Sequence, residues 1–301
     1  MLWRLLAYLL GVIIVACVVS PPLYWAGTWL AESGFLPIVK GFPFHRYFSR
    51  SVQISALVLL WPAFRWIGIC HLCVLGIEPN QKWKSHLAAG FLIALLPVLA
   101  LGVGYVLSGL WELRNDWEAA RFLRIAATAS VVSLIEEFLF RGVFLGLCLL
   151  AMRKWLAISI SALVFALVHF LKTSKSPISE SVGWGSGFAQ ISMVFSGAPP
   201  WPLLGWGILS LTIAGVILAW ATIKTRSLFL PIGLHAGWIL GQQGMQLVAA
   251  LRVNSPDASL PWVGPNVVSG AVPTGLVPSF VLFFTLGLVV FYLRHAIRER
   301  H

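Results

Sequence analysis

Eight apolar runs close to membrane-crossing length limit what this sequence can fold into, at about residues 5–30, 51–75, 87–110, 125–151, 155–171, 203–223, 228–250 and 277–293. A helix needs ~20 such residues to cross a ~30 Å hydrocarbon core, and it can do so because it satisfies its own backbone where water is absent. Hydrophobic residues make up 59% of the 301 positions and charged residues 10%. Soluble domains carry roughly 25% charged residues, so an ordinary globular domain is excluded. The expected fold class is all-α: a polytopic helical bundle of about eight transmembrane helices, forming a single integral membrane domain over 1–301. No internal repeat and no soluble domain is visible.

The basic excess, 21 Lys and Arg against 10 Asp and Glu for a net charge of +11, does not point to nucleic acid. These residues are spread through short connecting segments and form no patch, as expected of the positive loops of a membrane protein. An even number of spans puts both termini on one side. Arg4, Lys82, Lys84, Arg153, Lys154, Lys224, Arg226, Arg294, Arg298 and Arg300 mark that side as cytoplasmic. Segments 31–50, 111–124, 172–202 and 251–276 then face outward, although Lys40, Arg46 and Arg50 run against the rule. Arg65 interrupts the second run just after Trp61-Pro62, a pair expected to kink it. Trp3, Trp29, Trp111, Trp155, Trp201 and Trp262 stand at the ends of runs, where interfacial belts form.

The four cysteines imply no disulfide framework. Cys70 and Cys73 have CxxC spacing but no second pair, and their apolar setting fits buried, inert thiols. Ile14-Val15-Ala16-Cys17 looks like a lipoprotein cleavage box. The apolar run continues towards Leu30, beyond a signal-peptide core of ~7–15 residues, so a retained first span is expected. Segments 172–202 and 251–276 are rich in Gly, Pro and Ser and long enough to be lids or binding elements. Residues 187–195 are apolar but too short to span, which suits a segment in the interface.

Against this background Glu136 and Glu137 are out of place. An ionisable residue at the bilayer centre costs ~2.5–3.5 kcal/mol or more, and such residues mark a proton path, a substrate path or a catalytic site. Glu137 and Arg141 are at i and i+4, so they share a helix face and can pair. Glu136 is turned about 100° from Glu137 and is free to face elsewhere. Phe165 and His169 share a face at the end of the fifth run. His235 follows Pro231 at the start of the seventh, between Gly233 and Gly237, which permit close helix packing. A buried Glu and two His on separate helices suit hydrolysis. Glu136 can activate water as a general base while His groups stabilise the oxyanion, or all three can ligate zinc with water in the fourth position.

Taken together, Glu136-Glu137-x-x-x-Arg141, Phe165-x-x-x-His169 and His235 in a Pro-initiated span resemble the CAAX protease and bacteriocin-processing family (CPBP or Abi) of intramembrane proteases. The resemblance covers about residues 120–250, the catalytic core, with 1–119 supplying N-terminal transmembrane helices. It implies an eight-helix intramembrane endopeptidase, similar to type II CAAX prenyl endopeptidases. Glu136 would be the catalytic base and His169 and His235 its partners, with Glu137, Arg141 and Phe165 in support. The prenyl endopeptidase branch implies water activated without a cofactor, while a zinc ion on Glu136, His169 and His235 stays open. Implied partners are the lipid bilayer and a membrane-tethered protein or peptide: a CAAX-type tail, a bacteriocin precursor or a C-terminal sorting signal.

The family places a polar residue four positions after its last histidine, where this chain has Ile239. Gln242 lies ~10 Å further along the helix than His235, too far for a direct replacement without a bend. Lys172 or a backbone N–H is an alternative donor. Two other readings stay open: a proton-coupled transporter using Glu136 and the histidines as a relay, and a non-catalytic membrane scaffold, for which Ile239 is the main support.

Overall fold

The structure, a computed structural model, describes residues 2–69, 71–75, 77–170, 181–193, 200–252, 261–263 and 274–298. Its helices are α1 (Leu2–Glu32), α2 (Phe44–Ile67), α3 (Trp83–Leu107), α4 (Ala119–Glu137), α5 (Leu145–Ala151), α6 (Lys154–Phe170), α7 (Ser186–Ser192), α8 (Trp201–Thr225), α9 (Phe229–Val248) and α10 (Leu276–Arg298). A π-helical turn, Phe138–Phe144, joins α4 to α5, so the fourth apolar run is one helical path with a change of pitch inside it. The all-α bundle expected from the sequence is what the chain forms. Among the described residues, four helical stretches are long and apolar enough to cross a membrane by length and composition alone: Trp3–Glu32, Trp83–Leu107, Trp201–Thr225 and Leu276–His295. The second run ends early, at Ile67 rather than 75, because Gly68 takes a left-handed conformation (φ 86°) and caps α2.

The chain divides into two compact units, residues 1–71 with 171–198 and residues 72–170 with 199–301. In the first, α1 and α2 pair antiparallel. Arg4 Nη1 donates to the Trp66 carbonyl at 3.1 Å, and the Tyr8 hydroxyl donates to the Ala56 carbonyl at 2.7 Å. Pro21 inside α1 has no N–H for the Cys17 carbonyl one turn back, and the Ser20 hydroxyl donates to that carbonyl instead, at 3.3 Å. α7, which falls in the short apolar segment 187–195, packs on the same spot: a Cβ at Gly187 would collide with the Cys17 carbonyl. Cys17 is fully buried, whereas Cys73 is exposed rather than buried as expected; Cys70 lies outside the described residues.

In the second unit α3 and α9 run parallel in close contact. Gly233 meets Leu87, Gly237 meets Phe91 and Ala94, and Gly241 meets Val98, so small residues recurring every four positions let the two backbones approach. A Cβ at Gly237 would strike the Phe91 carbonyl oxygen. Gly237→Val is therefore expected to lower stability by about 1–3 kcal/mol. Gly287→Val, at a site with open space around it, serves as the control in the same thermal unfolding measurement in detergent.

The core of this unit is built from α3, α6, α8, α9 and α10, with Ala94, Phe165, Ile217, Leu218, Leu230, Leu234 and Val289 all at most 1% exposed. The far ends of α3 and α9 are tied by a feature the periodicity did not announce, a two-stranded antiparallel ribbon of β1 (Trp111–Leu113) and β2 (Ala249–Leu251). At the near ends, the rings of Trp83 and Phe229 lie 5.4 Å apart and those of His86 and Tyr292 6.0 Å apart. Arg226 pairs with Glu78 there at 2.7 Å. The start of α3, the α8–α9 junction and the end of α10 thus share one end of the unit, bringing Lys82, Lys84, Arg226 and Arg294 together as the positive-inside rule asks of a single membrane face. About half of the outer segment 172–202 and most of 251–276 lie outside the described residues.

Candidate active site

α4 ends on Glu137 and the chain enters the π turn at once. π turns set into α-helices are frequent at functional sites. This one carries Arg141, whose side chain is fully buried and whose Nη1 donates to Glu137 Oε1 at 3.0 Å. The guanidinium also sits 4.0 Å from the centre of the Phe165 ring, a cation–π contact that supports the charge where water cannot reach it.

Phe165, 1% exposed, joins the remaining groups. Its ring centre is 4.5 Å from that of His169 and 5.8 Å from that of His235. Its carbonyl accepts a hydrogen bond from His169 Nδ1 at 2.7 Å. A carbonyl only accepts, so the proton is assigned to Nδ1 and Nε2 faces the site. His235 is oriented in the same manner by another partner: Nδ1 donates to Glu137 Oε1 at 2.7 Å. Glu137 therefore serves Arg141 and His235 at once, with a single oxygen. The second contact joins positions 98 apart, so helical spacing carried no trace of it.

Both rings direct Nε2 towards Glu136. His169 Nε2 lies 3.5 Å and His235 Nε2 3.9 Å from Glu136 Oε2. These separations exceed a good N–H···O hydrogen bond, and Oε2 is buried with no hydrogen-bond partner among the described residues. The structure thus brings together Glu136, Glu137, Arg141, Phe165, His169 and His235. His169 is in the last turn of α6 and His235 in the second turn of α9. Level, side-by-side helices would hold the two rings ~13 Å apart in depth, so α6 and α9 are inclined or offset relative to each other.

Ile239 is half-buried, and Gln242, one turn further on, is buried and already engaged in an interaction. Lys172 lies outside the described residues. One further donor stands near His235 without any motif to mark it. Trp238 Nε1, three positions after His235, is buried with no acceptor among the described residues. Its ring packs against the core cluster that contains Phe165 and Leu234. Among the described residues, no group of three His, Cys, Asp or Glu side chains is placed to hold a metal ion.

Residues 116–240 match the family model described as type II CAAX prenyl endopeptidase Rce1-like, and every residue of the cluster falls inside that segment. No curated protein matches the chain, and no solved structure matches it. The motif residues gathered around Glu136 lie within the matched segment, and the apolar helices agree with it: over residues 116–240 this integral membrane protein matches the type II CAAX prenyl endopeptidase Rce1-like family model.

Proposed function

We propose that the chain is an intramembrane endopeptidase that hydrolyses a peptide bond near the C-terminus of a membrane-tethered polypeptide, with Glu136 as the general base. The observation that carries this reading is the convergence of His169 Nε2 and His235 Nε2 on Glu136 Oε2 at 3.5 and 3.9 Å. In their neutral forms both rings spend their proton at Nδ1, so three acceptors surround one point. A water molecule suits that arrangement, since it donates one proton to Glu136 and the other to a histidine. Glu136 takes the proton as the hydroxide forms a bond to the scissile carbonyl carbon. Breakage of the C–N bond then returns the proton to the leaving amine, directly or through His169.

The oxyanion needs donors, and Ile239 has none to offer. The Trp238 indole N–H is assigned to that role. It lies ~60° round the helix from His235 and ~4.5 Å along it, and buried donors without acceptors are uncommon in folded proteins. Trp238→Phe keeps an aromatic side chain, smaller than the indole, and removes the N–H. It is expected to lower kcat by about 10²–10³ with little change in KM, the effect of losing one oxyanion donor. An unchanged kcat would assign the indole to packing alone.

No metal takes part in this scheme. Cleavage assayed with and without a strong chelator tests that point. Full activity in chelator is expected, and loss with recovery on added zinc would replace the general base with a zinc-bound water on Glu136, His169 and His235. The family match supports a lipid-tethered substrate, and a panel of farnesylated and unlipidated membrane-anchored peptides tests that reading.

A further inference from the structure

Two cavities in the second unit share a wall and differ in chemistry. The first, about 740 Å³, opens between the start of α3 and the end of α10 and carries basic and polar side chains on a largely apolar wall, lined by Gln81, Lys82, Trp83, Lys84, Ser85, Tyr292 and His295. The second, about 540 Å³, is a groove between α3, α4 and α9. Trp83 and Lys84 border both. Neither lining contains a carboxylate.

Their depth follows from the helices that form them. Trp83 and Lys84 open an apolar helix of spanning length, which puts them at headgroup level, with Lys84 Nζ 5.4 Å from the Trp83 ring. From there the groove follows Leu87, Ala88 and Phe91 down one face of α3 for ~12 Å, most of the ~15 Å depth of one leaflet. The hydroxyls at its inner end make no demand on an occupant. Ser130 Oγ donates to the Ala126 carbonyl at 2.9 Å, and Ser133 Oγ donates to the Ser130 carbonyl at 3.1 Å.

We infer that the paired cavities bind an anionic bilayer phospholipid. Its phosphate sits beside Lys84 in the cavity between α3 and α10, and one acyl chain runs down the α3–α4–α9 groove. Charge complementarity selects the headgroup, since basic cavities at the ends of membrane helices attract acidic lipids. Continuity with a leaflet-deep apolar groove selects a lipid over free phosphate, which has no use for the groove. This inference does not rest on the proposed peptidase chemistry, although the groove is also lined by Ser133 and Ala236, close in sequence to Glu136 and His235.

The test is native mass spectrometry of the full chain in mild detergent, titrated with phosphatidylglycerol or phosphatidylcholine of identical chains. Phosphatidylglycerol is expected to bind about fivefold more tightly, and Lys84→Gln to bring the two lipids to parity. Ala88→Leu and Ala88→Phe fill the groove from an exposed position and should weaken both lipids in graded fashion, with unfolding temperatures near that of wild type. Inorganic phosphate should not compete at millimolar concentration. Equal binding of the two lipids by wild type would overturn the inference, as would retention unaffected by Ala88→Phe. So would stoichiometric displacement by a farnesylated peptide, which would give the groove to a substrate's anchor. Glu136→Gln should bind lipid as wild type does, so failure of the catalytic reading and failure of this one give different results.

Discussion

Arg141→Met is expected to lower the unfolding free energy by about 3–5 kcal/mol, the range for removing one partner of a buried ion pair. Arg141 and Glu137 are both fully buried, and the guanidinium is the cation 3.0 Å from the carboxylate. Met fills a similar volume and keeps contact with Phe165, so the loss comes from charge and not from a cavity. Without Arg141, Glu137 is left as a buried carboxylate whose remaining partner is the His235 ring at 2.7 Å. The same variant should also lose activity, because His235 is aimed through Glu137. A double-mutant cycle separates pair from packing. Glu137→Gln with Arg141→Met leaves no lone buried charge, and its cost should fall below the sum of the single costs by at least about 1 kcal/mol. Denaturant unfolding in detergent micelles reads both quantities; strict additivity would contradict a coupled pair.

Local spacing explains which parts of this arrangement could be read in advance. Glu137 with Arg141, and Phe165 with His169, are i and i+4 pairs on single helices, and the structure joins both: one by a side-chain hydrogen bond, the other by His169 Nδ1 reaching the Phe165 carbonyl. Gly233 and Gly237 likewise signalled a close helix contact, though not that α3 would supply it. The contact from Glu137 to His235 obeys no periodicity, since it depends on how α9 meets α4. Trp238 was hidden by its type, because an indole on an apolar helix reads as packing until its N–H is found without an acceptor.

Helix ends and pitch were less legible for a similar reason. Apolar composition continues past Ile67, yet Gly68 at φ 86° stops α2. The π turn at Phe138–Phe144 has the composition of the helix around it. Three-residue strands such as Trp111–Leu113 are too short to alternate visibly, and their register with Ala249–Leu251 comes from the parallel packing of α3 on α9. Sidedness was partly readable: the basic residues at the start of α3 and at the α8–α9 junction do share an end, with Arg226 bound to Glu78.

Glu136→Gln is expected to abolish hydrolysis while leaving the fold intact, and it separates the two adjacent carboxylates. Gln has the shape of Glu but cannot take a proton from water at neutral pH, and loss of a general base typically costs about 10²–10⁴ in rate. Glu136 makes no pair with Arg141 of the kind Glu137 makes, so its unfolding free energy should change by less than about 1 kcal/mol. Glu137→Gln should behave differently, losing stability along with the aim of His235.

The most direct test of Glu136 as the base is cleavage of membrane-tethered C-terminal peptides by wild type and by Glu136→Gln in parallel, each reconstituted in liposomes and assayed in chelator. The prediction is cleavage by wild type, and a Glu136→Gln rate at or below about 1% of it in a protein that unfolds at the wild-type temperature. A folded Glu136→Gln protein that cleaves at the wild-type rate would contradict the assignment of Glu136 as the base.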